Sequence, residues 1–243
     1  MRQLTIFTAA LGLLVSPPAF SDILFGVYAG TELWQTKSSG TFGNTNSTNA
    51  NFDLNDDNSA VIYLSIEHPV PMVPNVRLRQ SHLSTNANVS LNNFTFGGQT
   101  FNSNHEAEVT IKNVDLTLYY EILDNDLVSV DFGLTGKFLD GKASVDTTSE
   151  NISGVIPMLY GSTKIGIPST ELSLFGEAHG LSFEDSKILD YQIGAEYKFV
   201  DNLVIDASLR AGFRDFSIKL DGFDDLNTDW TFKGPFVGIQ AHF

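Results

Sequence analysis

The sequence predicts an all-β chain closed into a transmembrane up-and-down antiparallel barrel, most economically of ten strands, with eight as the alternative. Three observations predict it. Apolar and polar residues alternate from Ile23 to the end, the connections are turn-rich, and aromatic residues are plentiful, with 19 Phe, seven Tyr and two Trp.

Met1 to Ser21 carries Arg2 followed by an apolar run from Leu4 to Val15 and a small-residue exit at Ala19-Phe20-Ser21. That is the layout of a secretory signal peptide over 1–21, leaving 22–243 as the barrel domain. The run is too short for a membrane helix of roughly 20 residues. The chain has no cysteine, which excludes disulfides and thiolate metal sites. Its 29 acidic residues against 14 basic ones give a net charge of -15, opposite to what a nucleic-acid surface needs.

Ten strands are expected at about 23–36, 58–68, 75–96, 106–122, 127–141, 153–167, 171–183, 187–199, 203–219 and 230–243. The clearest runs from Leu127 to Phe138: Val128, Val130, Phe132, Leu134 and Phe138 share one face, while Ser129, Asp131, Thr135 and Lys137 share the other. Connections at 69–74, 123–126, 167–170 and 200–202 are tight. Those at 37–57, 97–105, 142–152 and 220–229 read as longer polar loops, with 184–186 short against that scheme. Short turns on one rim and long loops on the other fit a membrane barrel. Trp34, Tyr119, Tyr120, Tyr191, Tyr197 and Trp230 supply interfacial aromatics near strand ends or outward faces.

If apolar positions face lipid, the other parity names the lumen: Tyr28, Glu32, Glu67, Arg77, Arg79, Glu121, Asp131, Lys137, Glu177, His179, Asp190, Glu196, Lys198, Asp206, Arg210 and Arg214. An unpaired charge in a narrow lumen is costly, so these residues form either a salt-bridged plug or a narrow conduction path tuned by an unpaired remainder.

The last residues, Phe236-Val-Gly-Ile-Gln-Ala-His-Phe243, place Val237, Ile239, Ala241 and Phe243 on one face. This resembles the C-terminal strand of Gram-negative outer-membrane β-barrel proteins, whose final phenylalanine is read by the barrel-assembly machinery. The whole chain resembles a family of small outer-membrane barrels without an assigned activity. The resemblance implies outer-membrane residence, a monomer, and contact with membrane lipid and lipopolysaccharide, with a structural or weakly permeating role.

Two short motifs also resemble enzymes of that membrane. Glu177-Ala-His179 resembles the acid-x-His pair of the omptin proteases, which also use a second acidic pair that Asp56-Asp57 could supply. His82-Leu-Ser84 resembles the His-x-Ser pair of lipid A deacylases, but no acid occurs between Ser84 and Asn104 to orient the histidine. No catalytic residue is assigned on these grounds. A repeated Asp-x-Asn-x-Asp, at Asp53, Asn55, Asp57 and at Asp225, Asn227, Asp229, offers oxygen ligands for weak calcium or magnesium binding. Both copies lack the glycine and the glutamate of an EF-hand loop.

Overall fold

The computed structural model describes residues 25–243 except 45–49, 126, 184, 203, 224 and 225, and not the side chains of Asp53, Phe183 and Phe223. The signal-peptide expectation therefore lies outside the described residues. Among those residues ten strands close into one barrel: β1 Gly26–Asn44, β2 Ala50–Glu67, β3 Asn75–Phe96, β4 Gln99–Asp124, β5 Val128–Val145, β6 Thr148–Gly166, β7 Leu172–Phe183, β8 Ser186–Val200, β9 Asp206–Phe223 and β10 Leu226–His242. Each strand pairs with its chain neighbour, and β1 pairs antiparallel with β10, from Tyr28↔His242 to Asn44↔Leu226. Closure pairs every strand on both sides near the chain ends, so that part of the sheet has no edge.

The strands are longer than the alternation suggested at one end. Phe25 and Phe243, with the turns at 68–74 and 167–171, mark the terminal end of the barrel. At the opposite, distal end the segments 37–57, 97–105, 142–152 and 220–229, expected as polar loops, are largely strand, joined by tight turns such as Gly97-Gly98. The β3–β4 turn works because both glycines take positive φ, +53° and +75°, where a Cβ would be strained. From His82 to Phe96 the overhang runs on the order of 45 Å along β3 at about 3.3 Å per residue.

The reason those segments read as loops is that the wall changes character along its length. Near the terminal end the outward face is apolar: Ile62, Leu64, Leu78, Leu118, Phe132, Leu134, Leu159, Ile193, Leu209 and Val237 are all exposed. On β6 this belt runs from Val155 to Ile165, matching the roughly 9–11 residues of a tilted membrane strand. Distally the outward positions become polar or charged, as at Glu106, Glu108, Lys112, Asp140, Lys142, Lys219, Asp229 and Lys233. The inward positions there become apolar, with Phe42, Phe52, Leu83, Phe96, Ile111, Ile152, Ile218 and Trp230 buried in one core. The rule that apolar positions face outward holds only for the terminal half.

Two seams interrupt the distal wall. The β2–β3 ladder stops at Val61↔Ser81, and beyond it side chains bridge to backbone: the Ser59 hydroxyl donates to the His82 carbonyl and that of Thr85 to the Asn55 carbonyl, each at 2.7 Å. The β6–β7 ladder likewise ends at Leu159↔Gly180, because β7 and β8 form a shorter hairpin.

Candidate functional site

Register builds the centre of the lumen. Arg79 on β3 stands opposite Asp115 on β4, which stands opposite Lys137 on β5, so one row across three staves carries plus, minus, plus. Arg79 donates to Asp115 at 2.9 and 3.2 Å and reaches across the lumen to Glu177 of β7 at 3.0 Å and Asp190 of β8 at 2.7 Å. Lys137 donates to both Asp115 oxygens at 2.8 and 2.9 Å. Arg214 holds Asp190 through Nε at 2.9 Å and Nη2 at 2.7 Å, the fork geometry that only arginine offers. Arg77 joins through Glu177 at 2.8 Å, and Arg210 donates to Glu32 at 2.8 Å and to the Tyr63 hydroxyl at 2.6 Å. Gly30 makes room for Tyr63, since a Cβ there would run into the phenol ring.

Of the residues that parity assigned to the lumen, the structure gathers Glu32, Arg77, Arg79, Lys137, Glu177, His179, Arg210 and Arg214 into this network. Glu196 joins its terminal side, accepting from Lys164 at 2.6 Å. Glu67, Glu121 and Asp131 lie lower, around a cavity toward the terminal rim, and Glu121 is exposed. Asp206 sits at the rim beside Lys198 at 3.4 Å and His242 at 3.8 Å. Asp115, Tyr63 and Lys164 are members that the parity reading did not name, although the alternation of Asp115 with Val114, Leu116 and Leu118 marks it as inward.

Aromatic rings floor the network on its distal side. The Arg214 guanidinium lies 4.6 Å from the Trp34 ring centroid, and Lys137 Nζ lies 5.0 Å from that of Phe216. Trp34 and Trp230 are fully buried and Tyr119 is 3% exposed, so these three face inward instead of joining an interfacial girdle. Tyr120 and Tyr197 do face outward. Above the floor, Phe42 stacks on Phe52 at 4.1 Å with Phe94, Phe96 and Trp230 packed edge-on around them. The lumen thus holds two successive plugs, one ionic and one apolar.

Glu177 and His179 do meet, at 3.1 Å, but the second imidazole nitrogen is bonded to the Thr135 hydroxyl at 2.9 Å, and both residues are buried inside the ionic plug. Asp56 and Asp57 lie on β2 in the distal wall, away from that pair. His82 and Ser84 both face outward on β3.

The acidic repeats lie on strands. Asp53, Asn55 and Asp57 belong to β2 and Asn227 and Asp229 to β10, strands that flank β1 on opposite sides and so stand about 10 Å apart. The Asn55 side-chain amide donates to Asn86 Oδ1 at 2.7 Å, and Asn227 Oδ1 accepts from the Gly222 amide at 2.8 Å. The side chain of Asp53 and all of Asp225 lie outside the described residues. Among those described, no three His, Asp or Glu side chains come together as a metal cluster.

At the chain end, Val237, Ile239 and Phe243 are 61%, 45% and 56% exposed on the outward face, with Ala241 half-buried beside them. The Phe243 amide and carbonyl close the seam with Val27 at 3.0 and 3.1 Å.

No family model and no curated protein matches the chain. Among solved structures it is similar to the outer membrane protease OmpT of Escherichia coli, with a TM-score of 0.52 at 8% identity over 93% of this chain and 100% of that one. The translocator domain of the autotransporter NalP from Neisseria meningitidis also matches, with a TM-score of 0.40 at 15% identity over 89% and 87% of the two chains. A third match is Ail, the attachment invasion locus protein of Yersinia pestis, with a TM-score of 0.32 at 11% identity over 89% and 99%. The likeness to OmpT is one of fold: this chain is an up-and-down antiparallel β-barrel, with an apolar belt around a charged interior.

Proposed function

We propose that this barrel is a sealed, non-conducting structural component of the outer membrane, with its terminal end toward the periplasm and its distal wall standing outside the bilayer. The observation that carries this reading is the double plug. A path through the lumen has to pass Arg79, bonded to acids on three staves, and then the aromatic stack of Phe42, Phe52, Phe94 and Phe96. Neither layer is a loop that can swing aside, because both are built from side chains on paired strands.

The same sealing supports a non-enzymatic role. Glu177 and His179 are consumed by the plug, and a general base needs a reachable proton. Membrane lipid, including lipopolysaccharide on the outer leaflet, is the partner of the belt, and the assembly machinery is the partner of Val237, Ile239, Ala241 and Phe243, which face outward where another protein can read them. Planar-bilayer recording of the refolded protein tests the reading. The expected trace has no discrete steps, whereas steps of uniform size from the unmodified chain would show a conduction path and overturn it.

A further inference from the structure

The nine lysines divide by position. Lys137, Lys164 and Lys198 lie on the inward parity and hold ion pairs. Lys37, Lys112, Lys142, Lys187, Lys219 and Lys233 are exposed on the outward face, and none of the six pairs with an acid among the described residues. All six stand on the distal side of the belt. Lys112 is two residues beyond Val114, Lys37 and Lys233 are four beyond Leu33 and Val237, and Lys219 is six beyond Phe213. At about 3.3 Å per residue along strands tilted by about 45°, they lie roughly 5–14 Å above the belt, at and just beyond the level of lipid headgroups. On the outward wall of the described residues no lysine or arginine occurs within the belt or at its terminal border. In a chain of net charge -15, the cations of the outer surface are thus gathered on one border of the belt.

Four of the six form one patch on neighbouring strands. Lys37 stands directly opposite Lys233 across β1 and β10, and Lys187 directly opposite Lys219 across β8 and β9. Like charges opposed at a Cβ separation of about 5 Å repel and weaken a sheet unless an anion lies between them. Asp215 lies across from Lys233, Asp229 across from Lys219 and Asp56 beside Lys37 at the β1–β2 bulge, yet none of these acids ion-pairs with a lysine, and Asp215 accepts from the Ser217 hydroxyl at 2.8 Å. Lys219 and Lys233, the nearer members of the two pairs, sit on adjacent strands four residues apart, with about 14 Å between their Cα atoms. We propose that this patch binds the headgroup of lipopolysaccharide through its two phosphates, one at each lysine pair. A disaccharide with a phosphate at each end covers the span, and each phosphate supplies the charge that its pair lacks. Leu33, Val237, Phe213 and Ile193 face outward below the patch on the same four strands, so the acyl chains of that lipid continue down the wall beneath its headgroup. The proposal rests on the reading that the distal wall stands outside the bilayer and assigns the polar end of the lipid to four residues.

Native mass spectrometry of the refolded full chain in detergent tests this, with bis-phosphorylated lipid A, its monophosphorylated form and phosphatidylglycerol offered in equal amounts. The bis-phosphorylated lipid is expected to give about five times or more the adduct of either competitor, because each cation near a membrane surface adds its own attraction for anionic lipid. Lys37→Gln, Lys187→Gln, Lys219→Gln and Lys233→Gln combined are expected to reduce that adduct about tenfold or more. Should the fourfold variant fail to fold, Lys37→Gln with Lys233→Gln is expected to bring the bis-phosphorylated adduct down to the level of the monophosphorylated one. Lys112→Gln with Lys142→Gln, on β4 and β5 at the same border, is expected to keep most of it. Equal adducts with all three lipids, equal adducts with the two forms of lipid A, or equal losses in the two sets of variants would each overturn the proposal. A membrane-impermeant amine reagent applied to intact cells reads the orientation separately. Labelling of Lys142 without any lipid preference would remove the lipid site and leave the orientation standing, whereas no labelling of Lys142 would overturn both.

Discussion

The two halves of this barrel share strands and ladders but invert their chemistry. Around β5 the terminal half places Phe132, Leu134 and Phe138 outward and Thr135 and Lys137 inward, whereas two residues further on Asp140 and Lys142 point outward and Leu139 and Ala143 inward. The backbone geometry does not change at the crossover; the solvent does. Side chains on a strand alternate with period 2, so a single sheet can serve hydrocarbon and then water simply by exchanging which parity is apolar. The interior follows the exterior in reverse. Where lipid covers the wall, the lumen is held by ion pairs; where water covers it, the lumen is held by aromatic packing as in a soluble protein.

The sharpest way to break that comparison is to remove the centre of each plug. Arg79→Ala leaves Asp115, Glu177 and Asp190 short of a cation in a buried site, with an expected cost of about 3–5 kcal/mol. Phe42→Ala opens a hole in the distal core at an expected cost of about 3–5 kcal/mol. Urea titrations of the refolded barrel measure both. The two losses are expected to be similar in size and different in kind: the first leaves excess negative charge, so adding Asp190→Asn to Arg79→Ala is expected to recover part of its loss, whereas the same change is expected to leave the Phe42→Ala loss unrelieved. Equal responses of the two variants to Asp190→Asn would erase the distinction between the plugs.

A smaller effect contrasts one outward face with itself. Leu78 and Ser90 both point away from the lumen on β3, one in the belt and one in the overhang. Leu78→Arg is expected to cost about 2–4 kcal/mol, as for a charge facing mid-bilayer. Ser90→Arg is expected to stay within about 0.5 kcal/mol of the parent. Matching costs in the same folding assay would mean that both positions meet the same solvent.

The smallest expected effect belongs to the overhang. His105 Nδ1 meets Asp146 Oδ2 at 2.7 Å, and Asp146 Oδ1 accepts the Glu106 amide at 3.1 Å, tying the β5–β6 turn to β4. The hydrogen bond to Asp146 raises the imidazole above its ordinary value, and the bond from His105 lowers the carboxyl below its own. The histidine contribution is present below the ordinary imidazole value and is lost as pH rises through the raised one. The aspartate contribution is present above the ordinary carboxylate value and is lost as pH falls through the lowered one. Protection of the Glu106 amide from hydrogen exchange, corrected for intrinsic rates, is therefore expected to be greatest between about pH 4 and 6.5 and to lose its alkaline fall in His105→Gln. An unchanged profile in the variant would remove His105 from the tie.

Strand parity made much of this legible from the amino-acid sequence. Lys137, Arg79 and Arg214 alternate with Phe138, Leu78 and Phe213, and that alone points them into the lumen. Their partners were not legible, because Arg79 meets Asp190 only when β3 and β8 face each other across a closed barrel. The overhang was misread for a physical reason. Ser38-Ser-Gly-Thr-Phe-Gly-Asn44 has polar residues where the belt has apolar ones, and a single rule of apolar outward turns such a stretch into a loop. Trp34 and Trp230 were placed at an interface by residue type, yet each lies on an inward parity and is buried in packing that its own strand alone does not reveal.

The central claim is that one wall passes from lipid to water between Phe138 and Asp140. Because the chain has no cysteine, single cysteines can be placed at 132, 134, 138, 140 and 142, spin-labelled and read in proteoliposomes. Dissolved oxygen, which concentrates in hydrocarbon, is expected to relax the first three labels, and a water-soluble nickel complex the last two. Equal access of the nickel complex to all five positions would contradict the membrane belt and with it the inversion on which the whole architecture rests.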